Sequence, residues 1–162
     1  MKLLADCRLY TFVDTAYLRG RAPETVARQL CDGGSDIIQL RAKDKSADEV
    51  RRMAGAILPV TNAAGVWLVI NDHLHIAAET GAPVCHLGQE DFFDAGHAHV
   101  SKLKIQNPKL KIGLSTHAPE QAQRAVAAGA DYVAIGPVFA TGTKPTAKPV
   151  TLEYVRWAAR EV

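Results

Sequence analysis

Apolar residues along this chain come in short blocks. Runs such as VWLVI, IIQL and DYVAI are bounded by glycine or polar residues, and stretches in which alanine, leucine and valine recur at helical spacing separate them. A block of about five aliphatic residues suits a strand covered on both faces, and the spacing between blocks suits amphipathic helices. The pattern predicts strands over 9–14, 36–43, 66–72, 84–91, 111–117 and 131–139, and helices over 23–32, 47–62, 119–128 and 152–161. Such alternation marks a parallel sheet built from βαβ units. An internal repeat supports it: LCDGGSDIIQL, AETGAPVCHLG and VAAGADYVAIG place Gly33, Gly81 and Gly129 at intervals of 48 residues, each closing a helix before a strand. Glycine there fits a left-handed helix end. No linker or composition shift divides the sequence, so one domain spanning 1–162 is expected.

The polar residues then choose between two parallel architectures. An open doubly wound sheet gathers ligand groups at one switch point, whereas a (β/α) barrel takes them from the C-terminal ends of many strands. Here nearly every predicted strand ends in such groups: Asp14; Gln39, Arg41 and Lys43; Asn71 and Asp72; Gln89 and Asp91; Ser115 and His117; then Thr141 to Lys144. The distribution favours an α/β fold of the TIM-type (β/α) barrel class, with about six strand–helix units where a closed barrel has eight.

In IIQLRAK, Gln39, Arg41 and Lys43 alternate with Leu40 and Ala42 and so share one face. They span roughly 13 Å, a ladder suited to a phosphorylated ligand, with Arg binding bidentately and Lys as a point charge. A solvated amphipathic face is the competing reading, weakened where both faces of a strand are covered. Asp72 and Asp91 close neighbouring strands, and two carboxylates completed by ligand oxygens and water are what Mg²⁺ accepts. Either aspartate alone is better read as a helix N-cap. Ser115 suits a hydroxyl donor to phosphate, since no acid partner for a triad is identifiable. His117 is open between helix cap and general base. His86 reads as a hydrogen-bonded core residue, and His97 and His99 are expected on a helix at a spacing that does not share a face. The loop Thr141, Gly142, Thr143, Lys144 is a weak phosphate nest on its own.

Composition narrows the partners. With 19 basic and 17 acidic residues the net charge is +2, which gives little support to a nucleic-acid or membrane-surface role. Cys7, Cys31 and Cys85 read as reduced core thiols. With no signal-peptide core or membrane span in the sequence, a cytoplasmic protein is expected.

Taken in order, LYTFVD, GGSDIIQLRAKDKS, LVINDH, HLGQED, IGLSTH and GADYVAIGPVFATGTKP resemble the thiamine phosphate synthase (thiamine-phosphate pyrophosphorylase) family from about Leu9 onward. The resemblance implies a (β/α)8 barrel transferase that joins hydroxymethylpyrimidine diphosphate to thiazole phosphate with Mg²⁺, releasing diphosphate and giving thiamine phosphate. It implies that Gln39, Arg41, Lys43, Asn71, Ser115 and Lys144 hold the pyrimidine diphosphate, with Arg41, Lys43, Ser115 and Lys144 serving catalysis. It makes Asp72 and Asp91 magnesium ligands and gives Thr141 and Thr143 to the thiazole phosphate. Ala42 stands where the family often has glutamate. The strand pattern ends after six units, so a barrel lacking the last two is expected, with the diphosphate half of the site complete, the thiazole half incomplete and a homodimer covering the open sheet edge. Two other readings share the fold: a thiazole tautomerase-like enzyme using His117, and a non-catalytic barrel fragment that binds phosphate ligands.

Overall fold

In the computed structural model, which describes residues 1–105, 107–140 and 148–162, each predicted strand and helix forms. The elements are β1 (Tyr10–Asp14), α1 (Pro23–Asp32), β2 (Ile37–Arg41), α2 (Ala47–Ala64), β3 (Trp67–Asn71), α3 (Leu74–Thr80), β4 (Val84–Gly88), α4 (Gln89–Asp94), β5 (Lys111–Thr116), α5 (Pro119–Ala127), β6 (Tyr132–Ile135) and α6 (Leu152–Glu161). Six strands alternate with helices in the TIM-type (β/α) arrangement, and the described pairings are parallel. The chain forms two compact units, Met1–His86 and Leu87–Val162.

In the first unit, β1 pairs with β2, β2 with β3 and β3 with β4. Side chains alternate between faces along each strand. One face sends Val13, Ile38, Leu40, Ala42, Leu68, Ile70 and Cys85 into the core, all 5% exposed or less. Burying each larger aliphatic side chain contributes about 1.5–3 kcal/mol. Registers Phe12↔Gln39↔Val69↔Val84 and Asp14↔Arg41, with Asn71↔His86, place the polar residues in rows on the other face. The apolar face thus fixes the fold and leaves the opposite one for chemistry.

Helix α2 starts with a capping box: the Glu49 N–H donates to Ser46 Oγ at 3.3 Å, and Glu49 Oε2 accepts from the Ser46 N–H at 2.9 Å. It runs two residues past the expected end, because the left-handed residue that terminates it is Gly65, at φ +68°. Gly81 and Gly129 are left-handed as the repeat predicts. Gly33 is not; its φ is −75°, and the adjacent Gly34, at +87°, makes the turn.

The second unit carries β5 and β6 in the register Gly113↔Tyr132 to Thr116↔Ile135. The Tyr132 ring lies over Gly113, where a side chain would collide with it. Helix α6 packs through Tyr154 and Ala158 on Ala122 of α5, flanked by Ile135, Val150 and Trp157. The Tyr154 hydroxyl donates to the Ala118 carbonyl at 2.8 Å and lies 2.8 Å from Thr116 Oγ1.

Four local expectations are corrected. Strand β4 stops at Gly88, and Gln89 to Asp91 begin α4, so the polar tail of CHLGQED belongs to a helix. β6 ends at Ile135, two residues before Pro137, which has no N–H for a ladder. His97 and His99 lie beyond α4, off any α-helix, with His99 Nδ1 accepting from the Ser101 N–H at 3.2 Å. Of the cysteines only Cys85 is fully in the core, while Cys7 and Cys31 are half-buried. Burial, aided by the Asp72 charge, pushes the Cys85 thiol up to about 12, so it stays protonated. Among the described residues no helix is long and apolar enough to cross a membrane.

Candidate functional site

The first unit gathers five of the expected residues at the ends of β2 and β3. Gln39 is buried, and its Nε2 donates to the Tyr10 hydroxyl at 2.8 Å. Arg41 Nη1 donates to Asp14 Oδ2 at 2.7 Å, with the two side chains 17% and 11% exposed. Asp14 is fixed in turn, since its Oδ1 accepts from the Ala16 N–H at 3.0 Å. The guanidinium therefore stands on a largely enclosed, oriented partner. Lys43 lies past the end of β2, and its ammonium is 3.3 Å from Asp72 Oδ2, with the side chains 50% and 35% exposed. An ion pair this open to water contributes about 1 kcal/mol or less, so a stronger ligand can replace either partner.

Asp72 has an unusual backbone. Its φ is +64°, a left-handed conformation that costs on the order of 1 kcal/mol in a residue with a side chain and that aspartate tolerates better than most. Its N–H donates to the His86 carbonyl at 2.9 Å, while Asn71 Nδ2 donates to Asp72 Oδ2 at 2.7 Å. Strain of this kind collects where a side chain must be held for function. The helix-cap alternative is overturned for both aspartates. The N-cap of α3 is His73, and that of α4 is Gly88, with Asp91 three residues inside.

In the second unit, Asp91 is exposed on the first turn of α4. Ser115 is half-buried on β5, on the face opposite the buried Ile112, Leu114 and Thr116. No side-chain hydrogen bond or ion pair engages either Asp91 or Ser115 among the described residues. Gln89, 5% exposed, buries a side-chain oxygen with no hydrogen-bond partner among the described residues. His117 is not a cap, because α5 begins after Ala118. Its Nδ1 bonds the Gly136 carbonyl, so Nδ1 carries the proton and Nε2 is the acceptor when the ring is neutral. It borders a cavity of about 380 Å³ with Lys148, Thr151 and Tyr154. Thr141, Thr143 and Lys144 lie outside the described residues.

Sequence reasoning passed over two partners, Tyr10 for Gln39 and the pairing of Asp14 with Arg41. The signal is the parallel register of β1 with β2, which sets Asp14 directly beside Arg41. It also left Gln89 without a role, and only burial of its carbonyl oxygen distinguishes it.

The sequence pattern that describes thiamine monophosphate synthase matches residues 9–162. The chain belongs to the thiamine monophosphate synthase family. It is 38% identical over 159 residues to a thiamine-phosphate synthase of Lawsonia intracellularis, covering 97% of this chain and 70% of that one. A thiamine-phosphate synthase of Caldicellulosiruptor saccharolyticus is 36% identical over 160 residues, again with 98% of this chain and 70% of the relative covered. Among solved structures, the fold is similar to that of a thiamine phosphate pyrophosphorylase from Pyrococcus furiosus, with a TM-score of 0.80 and 26% identity over 96% of this chain and 71% of that one. These relatives are transferases, and thiamine-phosphate synthesis is the activity their names carry.

Proposed function

We propose that this chain works as a thiamine phosphate synthase, binding hydroxymethylpyrimidine diphosphate together with Mg²⁺ and delivering its pyrimidine to thiazole phosphate. The observation that carries the reading is the Lys43, Asp72, Asn71 cluster, in which a strained aspartate is held by a solvent-exposed lysine and a neighbouring amide. Each aspartate, taken within its own unit, has chemistry that suits a magnesium ion. Asp72 offers a carboxylate whose present counter-charge is weakly held, and Asp91 offers one with no competing side-chain partner. Two carboxylates would leave the ion's other positions to diphosphate oxygens and water, as Mg²⁺ accepts.

When bound, Mg²⁺ supplies Lewis-acid stabilisation of the charge on the departing diphosphate. The chain's own residues do the rest. Lys43, weakly paired at 3.3 Å and half-exposed, is the cation that would serve the diphosphate oxygens, and Asp72 is a carboxylate that would hold the ion. Arg41 presents a guanidinium already oriented by Asp14, so little ordering is left for the moment of binding. Ser115 donates its hydroxyl to a phosphate oxygen, and Asn71 keeps Asp72 aimed. Lys144 adds a further cation to the diphosphate, and Thr141 and Thr143 receive the thiazole phosphate; these three roles rest on the motif alone.

The test is thiamine phosphate formation by the purified chain given both substrates. The expected result is product that requires both substrates and Mg²⁺ and that disappears with a chelator. Consumption of neither substrate at saturating Mg²⁺ would contradict the reading.

A further inference from the structure

We propose that Gly88 is a positioning residue for Asp91: the missing side chain at residue 88 leaves the space into which the Asp91 carboxylate folds at the start of α4. This rests on the reading of Asp91 as a metal ligand. The backbone of Gly88 is ordinary, with φ −60° and ψ 131°, an extended conformation open to any residue. Glycine is therefore not required there for its conformational freedom. Space is what a larger residue would lack. A Cβ at this position would meet Asp91 Oδ2 far inside contact distance, with Asp91 Cγ at 3.2 Å and Cβ at 3.8 Å. All three of these nearest atoms belong to the Asp91 side chain, and no backbone is among them.

Two further facts give the contact weight. No hydrogen bond or ion pair holds the Asp91 carboxylate among the described residues, and its present direction uses the space that a side chain at residue 88 would fill. Gln89, between the two, buries a carbonyl oxygen without a partner. Buried acceptors are normally satisfied, so the orphan in the same turn is a second group there that an ordered water or another incoming donor would satisfy. The turn Gly88 to Asp91 is thus a holder for one carboxylate, with its shape set by an absent methyl group.

A methyl group at residue 88 would swing the carboxylate away and leave strand β4 and helix α4 in place, because the collision is with the free end of a side chain. The experiment compares the unaltered chain, Gly88→Ala and Asp91→Asn in thermal melts and in Mn²⁺ titrations followed by electron paramagnetic resonance, with inorganic diphosphate present. Gly88→Ala should melt at or slightly above the temperature of the unaltered chain and bind Mn²⁺ about tenfold more weakly, the scale seen when groups that orient metal ligands are changed. Asp91→Asn should bind more weakly still. Unchanged Mn²⁺ affinity in Gly88→Ala, alongside a loss in Asp91→Asn, would overturn the inference about Gly88 and leave Asp91 a ligand. Unchanged affinity in Asp91→Asn would remove Asp91 from the metal site altogether. Loss of cooperative melting in Gly88→Ala would also overturn the inference, since the collision would then lie with the fold and not with one carboxylate.

Discussion

In Met1–His86, the aspartate just before β2, Asp36, accepts from the backbone N–H groups of Arg8 and Leu9 at 2.7 and 3.1 Å and from the Lys2 ammonium at 2.6 Å. In Leu87–Val162, Asp131 occupies the same place before β6. It accepts from the Ile112 N–H at 2.7 Å and from Lys104 and Lys111 at 2.5 and 3.2 Å. Both aspartates stand next to a repeat glycine turn, and both fasten the start of one strand to the preceding one. The scaffold is therefore repeated. The functional face is not. The first unit's charged residues neutralise one another, Arg41 with Asp14 and Lys43 with Asp72, whereas Asp91 and Ser115 in the second have no side-chain partner among the described residues. Equivalent strand–helix units can thus carry mutually paired charges in one case and side chains without a described partner in the other, with no change to what holds the strands together.

The strongest way to break this contrast is Asp72→Asn. Asparagine tolerates the left-handed backbone and keeps the shape, so thermal stability should change little, while kcat/KM for the diphosphate substrate should fall on the order of 10²- to 10³-fold. A comparable loss of stability would make Asp72 a structural residue. Arg41→Met comes next. It strands the enclosed Asp14 carboxylate, and chemical denaturation should report a loss of about 3 kcal/mol; a loss below about 0.5 kcal/mol would mean the pair is not the anchor described here.

Both outcomes depend on features that the sequence showed unequally. Strand and helix positions were legible because apolar blocks and helical spacing are local properties, and the ladder Gln39, Arg41, Lys43 follows from alternation along one strand. The neighbour of Arg41 was not legible, since it depends on which residue of β1 lies opposite, and register is settled only when both apolar faces are packed. The left-handed turn at Asp72 had no glycine to announce it. In HLGQED the polar residues fit a strand end as well as a helix start, and local alternation does not say where β4 gives way to α4.

A smaller effect follows from the pH dependence of these fastenings. Hydrogen bonding to Lys2 and to the Arg8 and Leu9 N–H groups lowers the Asp36 carboxyl from 3.8 to about 2. A depressed folded pKa gives stability that is full above pH 3.8 and is lost as pH falls toward 2. Asp36→Asn should therefore lower the melting temperature at neutral pH and flatten its decline between pH 4 and 2, as followed by circular dichroism. For Asp131, burial pushes the carboxyl upward, but the bonds from Lys104, the Ile112 N–H and Lys111 outweigh it, and the net shift is also downward. The smallest effect belongs to Ser115→Ala, which breaks no side-chain hydrogen bond among the described residues. Stability should move by less than about 0.5 kcal/mol, while the affinity for the pyrimidine diphosphate drops about tenfold.

The central proposal is that Lys43 and Asp72, at the ends of β2 and β3, exchange their mutual ion pair for a diphosphate and a magnesium ion. Calorimetric titration of the unaltered chain with hydroxymethylpyrimidine diphosphate, with Mg²⁺ and then with a chelator, measures it directly. The account predicts binding that needs the metal and is weakened by Lys43→Met as well as by Asp72→Asn. Equal affinity with and without Mg²⁺, or binding indifferent to both substitutions, would contradict it.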